Sequence, residues 1–259
     1  MKRFRILYKF LVHFFSARNT KGFGVHSPFV FQFTDFVLVD KSIFYVFPEI
    51  EAIRSNLRRD KRIINIKDFG TGHDRTRKVS EIAKCSIKSA KYGQLLYRIA
   101  NYLKARDILE LGTSLGLTTL YLASSSNKIQ CVSLEGCPQT ANLAKENFDK
   151  LGFENIKTVV GNIDDTLPDV INEMEKLDMV FIDANHRYES VIQYFDICLH
   201  KAHDNTVIII DDIYWSADME KAWERIKEYP KVKTTIDLFQ FGIVFFNPDL
   251  YKKHYKMRY

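Results

Sequence analysis

A glycine-rich turn followed at a distance by a carboxylate is the first feature of this sequence that could do chemistry. The turn spans Gly112 to Gly116 directly after the apolar run DILEL, and Glu135 ends the next apolar run. Glycines let the backbone pass close under a bound nucleotide, and a carboxylate about twenty residues further on can accept hydrogen bonds from both ribose hydroxyls of a nucleoside. The pattern predicts a nucleoside-containing cofactor, with these binding residues: Gly112, Thr113, Ser114, Gly116 and Glu135.

A second polar turn, GNIDD, follows the apolar run IKTVV. Asn162 or Asp164 in this turn could hold the edge of an adenine ring. Alternatively, either residue caps the helix that follows, because short polar side chains are preferred at that position. The sequence leaves both roles open.

Three further carboxylates stand where two other apolar runs stop. Asp183 follows DMVFI, and Asp211 and Asp212 follow TVIII. In open α/β sheets, ligands bind beyond the carboxyl ends of the strands, so these side chains should lie close together. Three neighbouring carboxylates repel one another unless they share a cation, which predicts a site for Mg²⁺ or another divalent ion. The alternative is that Asp212 only caps a helix.

The elements that must position these residues alternate between β-like and helical patterns. Five strands are predicted at residues 107–112, 129–136, 156–162, 177–184 and 206–215, and a hairpin follows at 233–239 and 242–247. Strands joined by helices predict an α/β fold with a doubly wound, mostly parallel sheet. With its antiparallel C-terminal hairpin, the predicted seven-stranded sheet resembles that of the Rossmann-like methyltransferases.

The segment from Tyr92 to Asp212 also resembles catechol O-methyltransferase and related metal-dependent enzymes. The residues that carry this resemblance are the Gly93-Gln94 pair before the first strand and the segments ILELG, VVGNIDD and DMVFID. Asp212 stands where the catechol enzymes have asparagine, so the Asp-Asp pair looks more like that of the macrolide and aminocoumarin sugar O-methyltransferases.

This resemblance implies S-adenosylmethionine as cofactor and a divalent cation, with Glu135 on the ribose and the turn from Asn162 to Asp164 at the adenine. It implies Asp183, Asp211 and Asp212 as metal ligands, with Asp183 also counted among the cofactor-binding residues. His186 falls where the catechol enzymes place a lysine general base. The predicted reaction is an in-line displacement in which an acceptor hydroxyl loses its proton to His186 or Asp183 and attacks the sulfonium methyl. His186 as a surface residue is the alternative.

The front piece of the chain differs from the rest in charge. Residues 1–105 hold 21 Lys and Arg against 8 Asp and Glu, and residues 106–259 hold 17 against 24, so the two parts carry +13 and −7. We therefore predict a basic, mainly helical extension over residues 1–104 and a catalytic domain over 105–259. In the extension, a polar loop over residues 68–78 precedes a helix that Ser80 is expected to cap.

An amphipathic helix at the N-terminus carries its apolar residues at helical spacing: Phe4, Leu7, Tyr8, Leu11 and Phe15. Such a stripe usually covers the protein's own core or a homodimer partner, and a peripheral membrane contact is the other option.

The principal partner predicted is a small-molecule acceptor, with nucleic acid as a weaker alternative. The four cysteines include no C-x-x-C pair, which favours a reducing, cytoplasmic compartment.

Three other functions compete with methyl transfer to a small molecule. Residues 112–116 also satisfy G-x-S-x-G, the nucleophile elbow of α/β-hydrolases, but that fold needs several strands before the serine. The basic extension and the KKHYKMR tail would suit an RNA methyltransferase, although no Asn/Asp-Pro-Pro-aromatic motif is present. The third alternative is a non-catalytic scaffold that binds the cofactor.

Overall fold

The computed structural model describes residues 2–17, 27–67, 69 and 74–259, and these fall into two compact units. One unit is Lys41–Met174, and the other joins Met1–Asp40 to Glu175–Tyr259. The predicted division at residue 104 does not coincide with these units, because the elements of the basic front piece are shared between them.

In chain order, the helices are α1 (Lys2–Ser16), α2 (Pro28–Phe33), a π-helical turn (Thr34–Val39), α3 (Val46–Leu57), α4 (Val79–Cys85), α5 (Ala90–Leu103), α6 (Leu117–Ala123), α7 (Pro138–Lys150), α8 (Ile163–Glu173), α9 (Tyr188–Leu199) and α10 (Ala217–Lys227). The strands are β1 (Ile63–Ile66), β2 (Arg75–Lys78), β3 (Asp107–Leu111), β4 (Gln130–Glu135), β5 (Ile156–Val160), β6 (Leu177–Ile182), β7 (Ala202–Asp211), β8 (Thr234–Asp237), β9 (Phe241–Phe245) and β10 (Lys253–Lys256).

The unit Lys41–Met174 is built on the parallel strands β3, β4 and β5, in that order. Its core is an aromatic and aliphatic cluster in which the Phe47 ring lies 5.0 Å from Tyr97 and 5.5 Å from Tyr121. Gly93 of α5 packs against Tyr121 of α6, since a Cβ at this position would overlap the Tyr121 ring. The Gly93 position therefore serves helix packing.

Two local predictions in this unit are wrong. The end of the predicted loop is strand β2, which pairs antiparallel with β1, so Ile63 faces Lys78 and Ile66 faces Arg75. The following helix begins at Val79 with Lys78 at its N-cap, and Ser80 lies inside the first turn. The rest of the predicted loop, residues 68 and 70–73, lies outside the described residues.

The second unit contains strands in the order β10-β8-β9-β7-β6. Strands β6 and β7 are parallel, and β9 pairs antiparallel with both β7 and β8, which confirms the predicted C-terminal hairpin. Strand β10 pairs parallel with β8 and is not among the seven strands predicted for the sheet. Alternating parallel strands and helices with this closing hairpin confirm the α/β class and the Rossmann-like methyltransferase topology.

Of the alternatives left open for the apolar stripe of α1, the structure does not show the one in which it covers the protein's own core. The stripe is exposed, and the helix contacts its own unit mainly through polar residues and Phe10. No helix within the described ranges is both long and apolar enough to cross a bilayer.

The four cysteines have free thiols, and three of them are buried.

Candidate functional site

The glycine turn after β3 has the backbone geometry that its sequence predicts. Gly112 and Gly116 have φ values of 104° and 80°, in the region that favours glycine, and Ser114 adopts a φ of 49°. The Gly112 amide donates to the Leu134 carbonyl of the adjacent strand at 2.9 Å, which holds the turn against the end of β4. Gly116 then begins α6 as its N-cap residue.

Glu135 lies at the end of β4 beside this turn, and both of its oxygens accept backbone hydrogen bonds. The Ser114 amide donates to Oε2 at 2.7 Å, and the Cys137 amide donates to Oε1 at 2.9 Å. Burial raises the pKa of Glu135, and these backbone donors partly oppose the rise. The backbone donors fix the carboxylate beside the glycine turn, at the position from which the sequence predicts that it accepts hydrogen bonds from a ribose.

Thr113 is placed differently from its neighbours in the turn. Its side chain is buried and its Oγ1 hydrogen-bonds to Ser133 Oγ, which in turn donates to Glu110 Oε2. Thr113 therefore anchors the turn to the core through its side chain. The sequence offered no signal for this role beyond the hydroxyl itself.

Asn162 and Asp164 lie at the start of α8, where the sequence left two roles open. Asn162 is the N-cap of α8, and its side chain accepts a hydrogen bond from the Asp164 amide at 3.4 Å. Its amide group also donates to Asp165 Oδ2 at 3.3 Å. The capping role is therefore filled, while Asp164 keeps an exposed carboxylate at the same turn.

The other unit brings together Asp183, His186 and Asp211. Each of these residues offers one ligand atom, and the three atoms lie within 4.8 Å of one another. His186 Nε2 is buried and lies 3.5 Å from Asp183 Oδ1 and 3.6 Å from Asp212 Oδ2. The group thus contains His186 in place of the predicted Asp212, whose carboxylate approaches the histidine from another side.

The backbone around this cluster is held in an unusual conformation. Asn185, His186 and Asp212 have φ values of 65°, 40° and 52°, which non-glycine residues seldom adopt. Asn185 is fixed by a 2.7 Å hydrogen bond from its side-chain amide to the Tyr194 hydroxyl. Strand β7 ends at Asp211, four residues before the predicted end, because Asp212 turns the chain and accepts a bond from the Trp215 amide at 2.8 Å.

A buried network supports the turn that follows Asp212. The Tyr214 hydroxyl donates to Asp237 Oδ2 at 2.6 Å, and His13 Nε2 of α1 lies 3.0 Å from Asp237 Oδ1. Burial alone would raise the pKa of Asp237, but hydrogen bonds from His13 and Tyr214 outweigh it and keep the pKa below its usual 3.8. Sequence reasoning missed these residues because their partners are up to 224 positions apart.

Comparisons with known proteins agree with this geometry. A family model described as a methyltransferase domain matches residues 109–213. The chain is 33% identical over 136 residues to a catechol O-methyltransferase of Mycobacterium tuberculosis. This match covers 52% of this chain and 60% of that protein. It is 31% identical over 128 residues to a catechol O-methyltransferase of Niastella koreensis, covering 48% and 57%. The chain therefore spans less than two thirds of the length of these curated relatives.

A solved structure of an O-methyltransferase from Bacillus cereus, in complex with SAH, is similar to this chain with a TM-score of 0.57 and 22% sequence identity. The match covers 83% of this chain and 95% of that chain. That similarity shows the fold. Residues 109–213 thus match a methyltransferase domain, and about half of the chain is similar in sequence to catechol O-methyltransferases.

Proposed function

We propose that this chain is an S-adenosylmethionine-dependent O-methyltransferase that acts on a small hydroxylated molecule with the help of a divalent cation. The observation that carries the proposal is the group formed by Asp183, His186 and Asp211, whose ligand atoms lie within 4.8 Å of one another. The similarity to catechol O-methyltransferases supports the same reaction class.

The unit Lys41–Met174 supplies the residues for the cofactor. S-adenosylmethionine provides an electrophilic methyl group on a sulfonium. The turn from Gly112 to Gly116 offers close backbone approach, and Glu135, held by the Ser114 and Cys137 amides, is the candidate for the ribose hydroxyls. Asn162 and Asp164 stand at the next turn as the candidates for the adenine.

The unit that contains β6 and β7 supplies the residues for the acceptor. Two carboxylates and an imidazole are a donor set that divalent ions accept, and Asp211 is fully buried. A cation bound there would acidify an acceptor hydroxyl. The residues present therefore fit the ion that the resemblance implies, with Asp212 beside His186 as a further ligand or as its partner.

His186 has two roles available, as a ligand or as the base that accepts the acceptor's proton. Its Nε2 lies between Asp183 and Asp212, and either carboxylate would stabilise the imidazolium formed when the proton arrives. Asp183 is the alternative base. Asn185 and His186 both have positive φ in the loop that carries this side chain.

The test is methyl transfer from labelled S-adenosylmethionine by the purified full chain to hydroxylated aromatics, hydroxylated sugars and RNA, with Mg²⁺ and with excess chelator. We expect a small hydroxylated acceptor to be methylated only when the ion is present. Asp211→Asn should lower turnover by ~100-fold or more, since it removes a metal ligand, and should leave SAH affinity unchanged by calorimetry. The matched control is Asp178→Asn, in the same unit but paired with His203 at 3.0 Å.

Four results would contradict parts of this proposal. Full activity in chelator would exclude the metal, and equal activity of Asp211→Asn and Asp178→Asn would exclude the assigned ligand. Methylation of RNA alone would favour the nucleic-acid alternative. SAH binding without transfer to any acceptor class would favour a scaffold.

A further inference from the structure

Helix α1 presents its polar side to its own unit and its apolar side to solvent. Arg5, Lys9 and His13 lie at intervals of four residues and form a polar stripe. Arg5 Nη1 pairs with Glu220 at 3.1 Å, Lys9 pairs with the same carboxylate, and His13 reaches the buried Asp237. These contacts fix the rotation of the helix, because the three side chains share one face.

The opposite side carries an apolar stripe formed by Phe4, Leu7, Tyr8, Leu11 and Phe15. Phe4 and Phe15 are 78% and 77% exposed, and the other three side chains are about half exposed. Five large apolar side chains on one exposed helix face form a patch of the kind that marks an interaction site. The polar contacts prevent the helix from turning this stripe inward.

The sequence that contains the stripe is basic. Residues 1–34 contain six Lys and Arg and no Asp or Glu, and two of these, Arg5 and Lys9, pair with Glu220 on the polar side of α1. At the C-terminal end of α1, the Arg258 guanidinium lies 4.4 Å over the Phe14 ring and donates to the Phe14 carbonyl, and the side chain of Lys256 is exposed on β10. A second copy docked on this face would bring like charges together, whereas an anionic surface would complement them.

We propose that α1 docks the protein on an anionic phospholipid membrane. The apolar stripe enters the boundary between headgroups and acyl chains, and the basic residues around it meet acidic headgroups. At about 1.5 Å of rise per residue, the 15 residues of α1 extend for about 22 Å, so the helix lies along the surface as interfacial helices do.

Docking would hold the methyl-acceptor half of the molecule at the membrane. The Arg5 guanidinium that orients α1 also donates to the Tyr214 carbonyl at 3.2 Å, two residues after Asp212. The helix and the candidate metal cluster therefore belong to one connected piece of structure. The proposal does not depend on the methyltransferase activity and is tested separately from it.

The experiment is co-sedimentation of the full chain with vesicles of phosphatidylcholine alone or phosphatidylcholine mixed with phosphatidylglycerol. We expect binding to the anionic vesicles, weakened by added salt, and at least tenfold weaker binding to the neutral ones. The double variant Leu7→Glu, Leu11→Glu should lose the binding without losing thermal stability, because both side chains are exposed. Ile43→Glu, at an exposed apolar side chain outside α1 (83%), is the matched control and should bind like the wild type.

Absence of binding by the wild type, or equal binding by the double variant, would overturn the proposal. So would light scattering that shows a wild-type dimer dissociated by Leu7→Glu, Leu11→Glu together with no vesicle binding, since the stripe would then belong to a second copy. An unchanged unfolding temperature of the double variant ensures that a loss of binding reports the stripe and not the fold.

Discussion

Unusual backbone conformations are concentrated at the candidate functional loops. Of the six described non-glycine residues with positive φ, Ser114 lies in the glycine turn and Asn185, His186 and Asp212 lie around the metal cluster. Each such conformation costs of order 1–3 kcal/mol and persists where the surrounding contacts over-determine it. Hydrogen bonds to Glu135 and Tyr194 provide that support.

Glu110 is the buried residue whose charge state bears most on the cofactor turn. It is fully buried, accepts bonds from Thr119 and Ser133 on Oε2, and its Oε1 has no hydrogen-bond partner within the described part of the chain. Burial raises its pKa to about 8, so a proton on this carboxyl is favoured at neutral pH. Through Ser133 it holds Thr113, and with it the turn.

We expect the stability of the protein to fall as the pH rises because of Glu110. Its pKa of about 8 in the folded state lies above the ordinary 4.5, so the folded chain holds an extra proton between these values. The unfolding free energy should therefore decrease across this window, by at most about 1.4 kcal/mol per pH unit. Urea unfolding from pH 6 to pH 9 measures the slope.

Glu110→Gln is the control, because glutamine keeps the shape of the neutral acid and does not titrate. Its unfolding free energy should depend less on pH than that of the wild type. Identical pH dependence in the two proteins would show that Glu110 is ionised in the folded state at neutral pH.

At the scale of elements, the start of α6 combines backbone conformation with close packing. Gly116 has a φ of 80°, and a Cβ there would lie 2.5 Å from the Phe148 ring and 2.9 Å from the Ala144 side chain of α7. Gly152 after α7 has a φ of 69° but nothing within 4 Å of a Cβ. An alanine at position 152 therefore meets only the strain of a positive φ, whereas an alanine at position 116 meets that strain and steric overlap as well.

Gly116→Ala should destabilise the protein by about 2–4 kcal/mol, since strain from the positive φ adds to overpacking, and should weaken SAH binding. Gly152→Ala should cost only about 1 kcal/mol and leave SAH binding unchanged. Chemical denaturation and calorimetry measure both effects. Equal destabilisation by the two substitutions would show that α7 moves aside without cost.

The elements themselves were largely predictable because their signals are local. Apolar runs ended by polar residues located β3 to β6. Strand β2, with its sequence RTRK, escaped prediction because it has no apolar alternation and forms only by pairing with β1. The inverted orientation of α1 also escaped, since the helical period shows two faces but not which one meets Glu220 and Asp237.

The candidate site could be predicted where its residues directly follow predicted strands. The positions after β3, β4, β6 and β7 identified the carboxylates, and Asp183 and Asp211 do lie in one cluster. Whether His186 or Asp212 completes the cluster depends on the dihedral angles at residues 185, 186 and 212, which a sequence pattern does not determine. The supporting bonds of Tyr214 and Asp237 come from distant segments and carry no local signal.

At the scale of the whole molecule, the candidate cation should contribute to the stability of the fold. A ligand that binds only the folded state stabilises it by about 1.4 kcal/mol at ten times its Kd, which for a chain of this size raises Tm by about 2–4 °C. We expect Mg²⁺ to produce such a shift in the wild type and not in Asp211→Asn. A scanning calorimeter measures it without any acceptor, and equal shifts in both proteins would place the ion elsewhere.

The contacts of α1 have a consequence for the order in which the protein assembles during synthesis. Arg5 and Glu220 are 215 residues apart, and His13 and Asp237 are 224 apart. The helix is therefore translated before nearly everything it binds, and contacts of such long sequence separation form late. Until β8 has been synthesised, His13 lacks its Asp237 partner, and the turn after Asp212 lacks the support that Asp237 gives it through Tyr214. The first helix therefore completes its polar contacts only after Asp237 has joined the fold, so its docking belongs to the late steps of folding.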